Sequence, residues 1–342
     1  MFKKKRGRVL TLNLKSEIFC QANIKSCLLP ILRSVMKMTI GLPRALLYYR
    51  YHVLWNTFFT LLGCDVLVSE PTSKETLEVG KTNAVDENCL PLKLFLGHVN
   101  SLIGRCDYIL VPRFARTGRE EEFCVRFWGL PDLVSNTFRD LPLLTYSLDW
   151  KRGETERAEF IALGQRLGKG RASARRAYEC AVKAQTDYDA RQRAQQTSRW
   201  KEAGLNILVA TQPYIIHDHY IGGTVRRMIA QCGGTALFTD RCDRAQSRMQ
   251  SQKISQGLFW TMNKEMIGAI AAHCHQVDGV IMMTAFPCGT DSLVNELVIR
   301  KNKHVPMIQI LLDEQQAEAG LETRVESFMD ILKERRKHAG TA

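Results

Sequence analysis

The strongest constraint on this chain is an alternation of short apolar runs with amphipathic segments that occurs twice. In the first stretch, residues 39–43, 64–69 (CDVLVS), 107–112 (DYILVP) and 143–147 read as strands. Residues 45–62, 74–82, 90–102 and 130–138 read as helices between them, and 113–128 as a loop. Gly63 stands where a helix C-terminus favours a left-handed residue. The alternation restarts with strands at 205–211 (LNILVAT), 236–239, 277–284 (VDGVIMMT) and 307–313 (MIQILLD). Their helices are expected at about 219–232, 262–275, 290–301 and 321–336. Strands alternating with helices predict a mostly parallel, doubly wound sheet. The expected fold class is α/β, with two Rossmann-like doubly wound parallel-sheet domains joined by a helical connector.

The domains expected on this basis are 38–150 and 204–338, with 151–203 as the connector. That middle stretch is rich in Arg, Ala, Gln and Glu, and Gly164, Gly168 and Gly170 interrupt it early. It reads as a solvated helix with one thin packing stripe. Residues 1–37 fit neither unit. They read as a basic N-terminal extension, either disordered or not native and lying upstream of a start at Met36 or Met38.

Charge follows the same division. The net charge of +13 resolves into +8 over residues 1–37, +6 over 151–203 and −1 elsewhere. The excess is therefore on the tail and connector, which argues against a nucleic-acid partner. Lys15 and Glu17 interrupt any apolar core of a secretory leader, and no run of 18 apolar residues exists. Eleven cysteines are scattered without the tight spacing of a secreted disulfide scaffold. A reducing cytoplasm is the expected location, with no membrane partner. There, clustered thiols point to metal or redox chemistry.

In open parallel sheets ligands bind beyond the C-terminal ends of the strands. Cys89 (in NCLP) falls at the start of the 90–102 helix, Cys124 in the long loop after DYILVP, and Cys288 (in FPCGTDS) between the VIMMT strand and the 290–301 helix. Helix N-termini near Cys89 and Cys288 favour negative charge. The gaps between the three, 35 and 164 residues, do not resemble a metal knuckle, so spacing alone reads equally as three loop thiols. His217, Asp218 and His219 follow the LNILVAT strand, as a substrate contact or a plain polar loop. His273, Cys274 and His275 form a weak zinc candidate, because adjacent residues near a helix end point different ways. No GxGxxG follows a strand, and GxxxxGK[ST], GxSxG and HExxH are absent, which disfavours nucleotide hydrolysis and nicotinamide chemistry.

Several blocks, in order, resemble a known family: IGLPRALLYYRYHVLWNTFF, AVDENCLPLKLFLGHV, DYILVPR, FCVRFWGLPD, FPCGTDSLVNEL and LLDEQQAEAGLETRVESFMDIL. They look like the acyl-CoA dehydratase activase-related proteins, relatives of the iron–sulfur subunits of 2-hydroxyacyl-CoA dehydratases and benzoyl-CoA-type reductases. The resemblance runs from about Met38 to about Leu332. It implies a [4Fe-4S] cluster on Cys89, Cys124 and Cys288, alone or as part of a double-cubane cluster. Three thiolates leave one iron without a protein ligand.

The resemblance also implies low-potential electrons from an ATP-dependent activase of the ASKHA type, used for radical dehydration or reduction of an acyl-CoA or other small substrate. A second cluster subunit or a homodimer completes such systems. Supporting positions are Glu87, Lys93, Arg113, His217, Asp291 and Ser292, with helix capping by Asp291 or Thr290 as the plainer alternative. FCVRFWGLPD lacks the proline that the family more often has after the cysteine, and the preceding loop is acidic. The reading from another class is a non-catalytic, two-lobed small-molecule binder without metal.

Overall fold

The structure is a computed structural model that describes residues 37–200, 204–315 and 318–339. The expectations for residues 1–36 lie outside the described residues, and from Thr39 the chain forms one compact unit. It opens with β1 (Thr39–Leu42), α1 (Tyr48–Leu61), β2 (Asp65–Val68), α2 (Lys74–Thr82), α3 (Leu90–Leu102) and β3 (Tyr108–Leu110). There follow β4 (Arg113–Gly118), β5 (Glu121–Glu122), α4 (Val125–Trp128), α5 (Leu130–Thr137), β6 (Leu143–Leu144) and β7 (Ser147–Asp149). Two helices, α6 (Glu156–Arg166) and α7 (Arg171–Arg199), occupy the polar middle. The second alternation is β8 (Leu205–Ala210), α8 (Pro213–Ile216), α9 (Gly223–Gln231), β9 (Gly234–Phe238) and α10 (Arg244–Ser251). It ends with α11 (Thr261–His273), β10 (Gly279–Ala285), α12 (Gly289–Lys301), β11 (Met307–Leu312) and α13 (Glu318–Ala339).

Two four-stranded sheets result, in the orders β2-β1-β3-β6 and β11-β10-β8-β9, and every pairing within them is parallel. The α/β class with two Rossmann-like parallel sheets is therefore correct. In each sheet the first strand has later strands on both sides, so each has a switch point, between β1 and β3 and between β8 and β10. Those are the positions where open α/β sheets form ligand crevices.

The sequence reading erred where local pattern was overridden by packing. The expected loop at 113–128 carries β4, β5 and α4, because Phe114 and Ala115 are buried and draw the segment into a third small sheet, β5-β4-β7. The expected strand at 143–147 splits between two sheets around Tyr146, whose buried hydroxyl accepts the Trp55 indole N–H at 2.9 Å. Helix α10 falls in a polar stretch with no expected element, and Asp243 caps its start by accepting the Gln246 N–H.

The connector stripe is real and built of small residues. Ala174, Ala177 and Ala181 of α7 are buried, and α7 packs along α1 and α6. At α1 the core is aromatic, with Phe58 edge-on to Phe160 at 4.8 Å. Two glycines let α2 and α3 approach: a Cβ at Gly80 would lie 2.0 Å from the Lys93 carbonyl oxygen, and one at Gly97 2.0 Å from that of Thr76. Leu77, Leu90 and Leu94 of this helix pair join the core on one face of the β8–β11 sheet. Among the described residues, no helix is long and apolar enough to cross a membrane.

Candidate functional site

Each of the three singled-out cysteines is the N-cap residue of a helix: Cys89 of α3, Cys124 of α4 and Cys288 of α12. None has its thiol engaged as a conventional side-chain cap. The first-turn N–H groups of Leu92, Arg126 and Asp291 nonetheless favour the charged forms of Cys89, Cys124 and Cys288 respectively, against the larger effect of burial. These are the donors that a helix start leaves free.

The three helix starts converge. The Leu90 N–H donates to the Phe286 carbonyl oxygen at 3.0 Å, tying the Cys89 turn to the segment that leads into Cys288. Arg126 donates to the Glu87 carbonyl oxygen at 3.3 Å, tying the Cys124 turn to the Cys89 loop. Thr290 and Cys124 line one small pocket together with Gln212, Tyr214 and Asn263. Charge on Cys124 bears on Cys89, charge on Cys89 bears on Cys288, and all three bear on Tyr214. Tyr214 follows β8 and Cys288 follows β10, so the group lies at the switch point of the second sheet.

Burial raises all three thiol pKa values, Cys89 to about 11 and Cys288 to about 12. Asp291 adds to the rise at each of them, and its own carboxyl is raised by burial. At these values the Cys89 and Cys288 thiols are protonated at neutral pH. Asp291 is not a helix cap: its Oδ1 accepts from Gln212 at 2.9 Å and Asn263 at 2.7 Å, while Oδ2 is buried without a partner. Asn88, next to Cys89 and 1% exposed, has neither amide atom hydrogen-bonded.

The other expected positions are placed differently. Arg113 grips the far end of α4, donating to the Trp128 carbonyl oxygen at 2.6 Å and pairing with Asp132. Lys93 is buried in an ion pair with Glu314 at 2.8 Å. The Ser292 hydroxyl donates to the Cys288 carbonyl oxygen at 2.8 Å. Glu87 is exposed and contributes only its carbonyl. His217 bonds Asp240 at 2.8 Å in a separate cavity beyond α8. Gln212, Tyr214 and Asn263 were not anticipated; only their position after or opposite β8 could have signalled them. Among the described residues, no three His, Cys, Asp or Glu side chains stand close enough to share a single metal ion.

The family model described as the CoA enzyme activase uncharacterised domain (DUF2229) matches residues 39–241. The chain belongs to the family of this CoA enzyme activase uncharacterised domain. The matched span holds Cys89 and Cys124, while Cys288 lies beyond it. No curated protein matches the sequence. Among solved structures, similarity is found to the P. aeruginosa SBP FpvC in complex with Ni2+, at 11% identity over 87% of this chain and 96% of that one, TM-score 0.25. The same SBP with Mn2+ gives 12% identity over 88% and 100%, TM-score 0.26. A ZnuA structure gives 10% identity over 86% and 99%, TM-score 0.23. Similarity at this level carries no argument about the present chain.

Proposed function

We propose that the chain is a cytoplasmic iron–sulfur protein in which Cys89, Cys124 and Cys288 hold a [4Fe-4S] cluster, reduced by an ATP-dependent activase and acting on an acyl-CoA or other small substrate. The observation that supports this reading is the convergence of three thiols, each the N-cap residue of a helix, through the Leu90–Phe286 and Arg126–Glu87 bonds. A cubane suits this donor set better than a single ion does. In a cubane each thiolate would bind a different iron, so the three sulfurs need not converge on one point. Such a cluster supplies one-electron transfer and an iron open to a small ligand.

The chain's own residues would do the rest. The free N–H groups of the three helix starts would offset the negative charge of a cluster held there. The partnerless Asn88 amide, beside Cys89, is available as a further donor. The buried Asp291 carboxyl, raised by burial and held by Gln212 and Asn263, would stand beside the thiols. The open space beside Cys124 is about 20 Å³.

Anaerobically purified protein is expected to be brown, with about four irons per chain. Replacing Cys89, Cys124 or Cys288 by Ala should remove the iron, whereas replacing Cys232 or Cys274 should not. Iron-free protein from iron-replete anaerobic cells, or equal losses in both sets of variants, overturns the proposal.

A further inference from the structure

A sizeable cavity lies away from Cys89, Cys124 and Cys288. It encloses about 530 Å³ on the other side of α8, at the C-terminal ends of β8 and β9, and lies within the size range of small-molecule sites. Six arginines line it against three aspartates. Most of that charge is internally balanced. Arg193 pairs with Asp243, and Arg244 with Asp189 at 3.0 Å. Arg50 and Arg248 share the carboxylate of Glu265, at 2.6 and 2.9 Å.

Two arginines are left over. Among the described residues neither Arg226, on α9, nor Arg241, after β9, is in an ion pair, and each raises the electrostatic cost of the other. Arg241 is half-buried over the Phe238 ring at 5.1 Å. Asp240 beside it is already committed to His217. Arg50 adds a third signal: its side chain is nine-tenths buried, it lines the cavity, and its Nε hydrogen has no acceptor. An exposed Arg226 without an ion pair, a half-buried Arg241 whose neighbouring Asp240 also serves His217, and an unsatisfied Arg50 Nε, all lining a cavity large enough for a ligand, call for an anion from outside.

We propose that this cavity binds a small phosphorylated molecule, its phosphate or diphosphate group held between Arg226 and Arg241. Guanidinium forks match phosphate oxygens in pairs, and two adjacent unpaired forks match a dianion or a diphosphate better than a single carboxylate. The remaining volume exceeds that of a phosphate group, and Tyr49, His52 and Tyr188 provide an aromatic wall for the rest of the ligand. His52 and Tyr188 already meet edge to face at 5.2 Å. The inference is independent of the cluster, because its residues are not those of the cysteine turns and its test needs no iron.

The test is calorimetric titration of the full chain with inorganic pyrophosphate, phosphate and citrate at fixed ionic strength. Pyrophosphate should bind saturably and more tightly than citrate. R226Q and R241Q should each weaken it about tenfold or more, the fold-change expected for loss of a charged hydrogen bond. Arg226 is exposed, so R226Q reports on binding even if R241Q perturbs folding. R300Q, an exposed arginine paired with Glu296 on α12, should leave the affinity unchanged. Absence of saturable binding, equal affinity for citrate, or an equal loss in R300Q overturns the assignment.

Discussion

Acidification should destabilise this protein through one buried histidine. His98 is 1% exposed, and both ring nitrogens are hydrogen-bonded at 2.9 Å, Nδ1 to the Ser69 hydroxyl and Nε2 to the Thr72 hydroxyl. The neighbouring bonds fix the direction of each proton. Thr72 donates its only hydroxyl hydrogen to Asp218 Oδ2, so it must accept from Nε2–H. Nδ1 is then the acceptor and Ser69 the donor, while Ser69 Oγ accepts the Arg44 N–H at 2.8 Å. Tyr49 completes the chain by donating to Asp218 Oδ2 at 3.0 Å. A proton on Nδ1 would meet a hydroxyl hydrogen and remove an acceptor from the network. Burial, aided by the Arg44 charge, pushes the imidazole pKa down to about 4.

The unfolded chain binds that proton near pH 6.5 and the folded chain near 4, so stability rises with pH across this window and falls as pH drops through it. One pH unit inside the window is worth about 1.4 kcal/mol, which puts the His98 contribution to the loss between pH 7 and pH 5 at about 2 kcal/mol. Other groups titrate there too, so the quantity to measure is a difference. Urea unfolding of the wild type and of His98→Gln at pH 7 and pH 5 should show the wild type losing about 2 kcal/mol more than the variant. Equal losses would refute the buried neutral imidazole and the proton order derived from it.

Two further substitutions probe packing and charge. Glu265→Gln leaves Arg50 and Arg248 without their shared carboxylate; breaking a buried pair on one side should cost about 3–5 kcal/mol, read from the urea midpoint at unchanged m. Gly97→Ala places a methyl against the α2 backbone at Thr76, so α3 must shift, at about 1–3 kcal/mol or more, and iron retention on anaerobic reconstitution should fall because α3 begins at Cys89. A Gly97→Ala protein with wild-type midpoint and iron content would show that the close helix approach is not structurally required.

The parts of the fold that depend on nearest neighbours were legible. Helices α2, α3 and α12 lie within one residue of their expected limits, since capping and apolar periodicity are local. Placing Cys124 and Cys288 in connections that lead into helices, and Cys89 at the start of α3, also needed only the order of elements. What was hidden depends on distant residues. Arg50 and Glu265 are 215 positions apart, and Lys93 and Glu314 are 221 apart, so neither pair leaves a local trace. The arginine-lined cavity draws on α1, α7, α9 and α10, whose charges read in sequence as ordinary solvated faces. Asp291 was noticed, but its burial follows from Gln212 and Asn263 arriving from other elements.

The three cysteine turns are not equally fixed, and this bears on how a cluster would be held. The Cys89 and Cys288 turns are joined main chain to main chain by Leu90 and Phe286, and α3 is further held by the glycine contacts with α2 and by Lys93–Glu314. Relative displacement of those two turns would break buried packing and an ion pair together. Cys124 begins a helix of four residues. It is held by the Arg126 contact with Glu87 at 3.3 Å, by the Arg113 grip on Trp128, by the buried Phe127 ring against Phe123 and Tyr214, and just before it by the Phe123 N–H donated to the Ala115 carbonyl oxygen at 2.9 Å. Val125 beside it is 71% exposed. Among the described residues no main-chain bond joins the Cys124 turn to either of the other two. Under the proposed reading, the Cys89 and Cys288 thiols would therefore be the pair whose relative position the main chain fixes, and Cys124 the ligand positioned through side chains and its own small sheet.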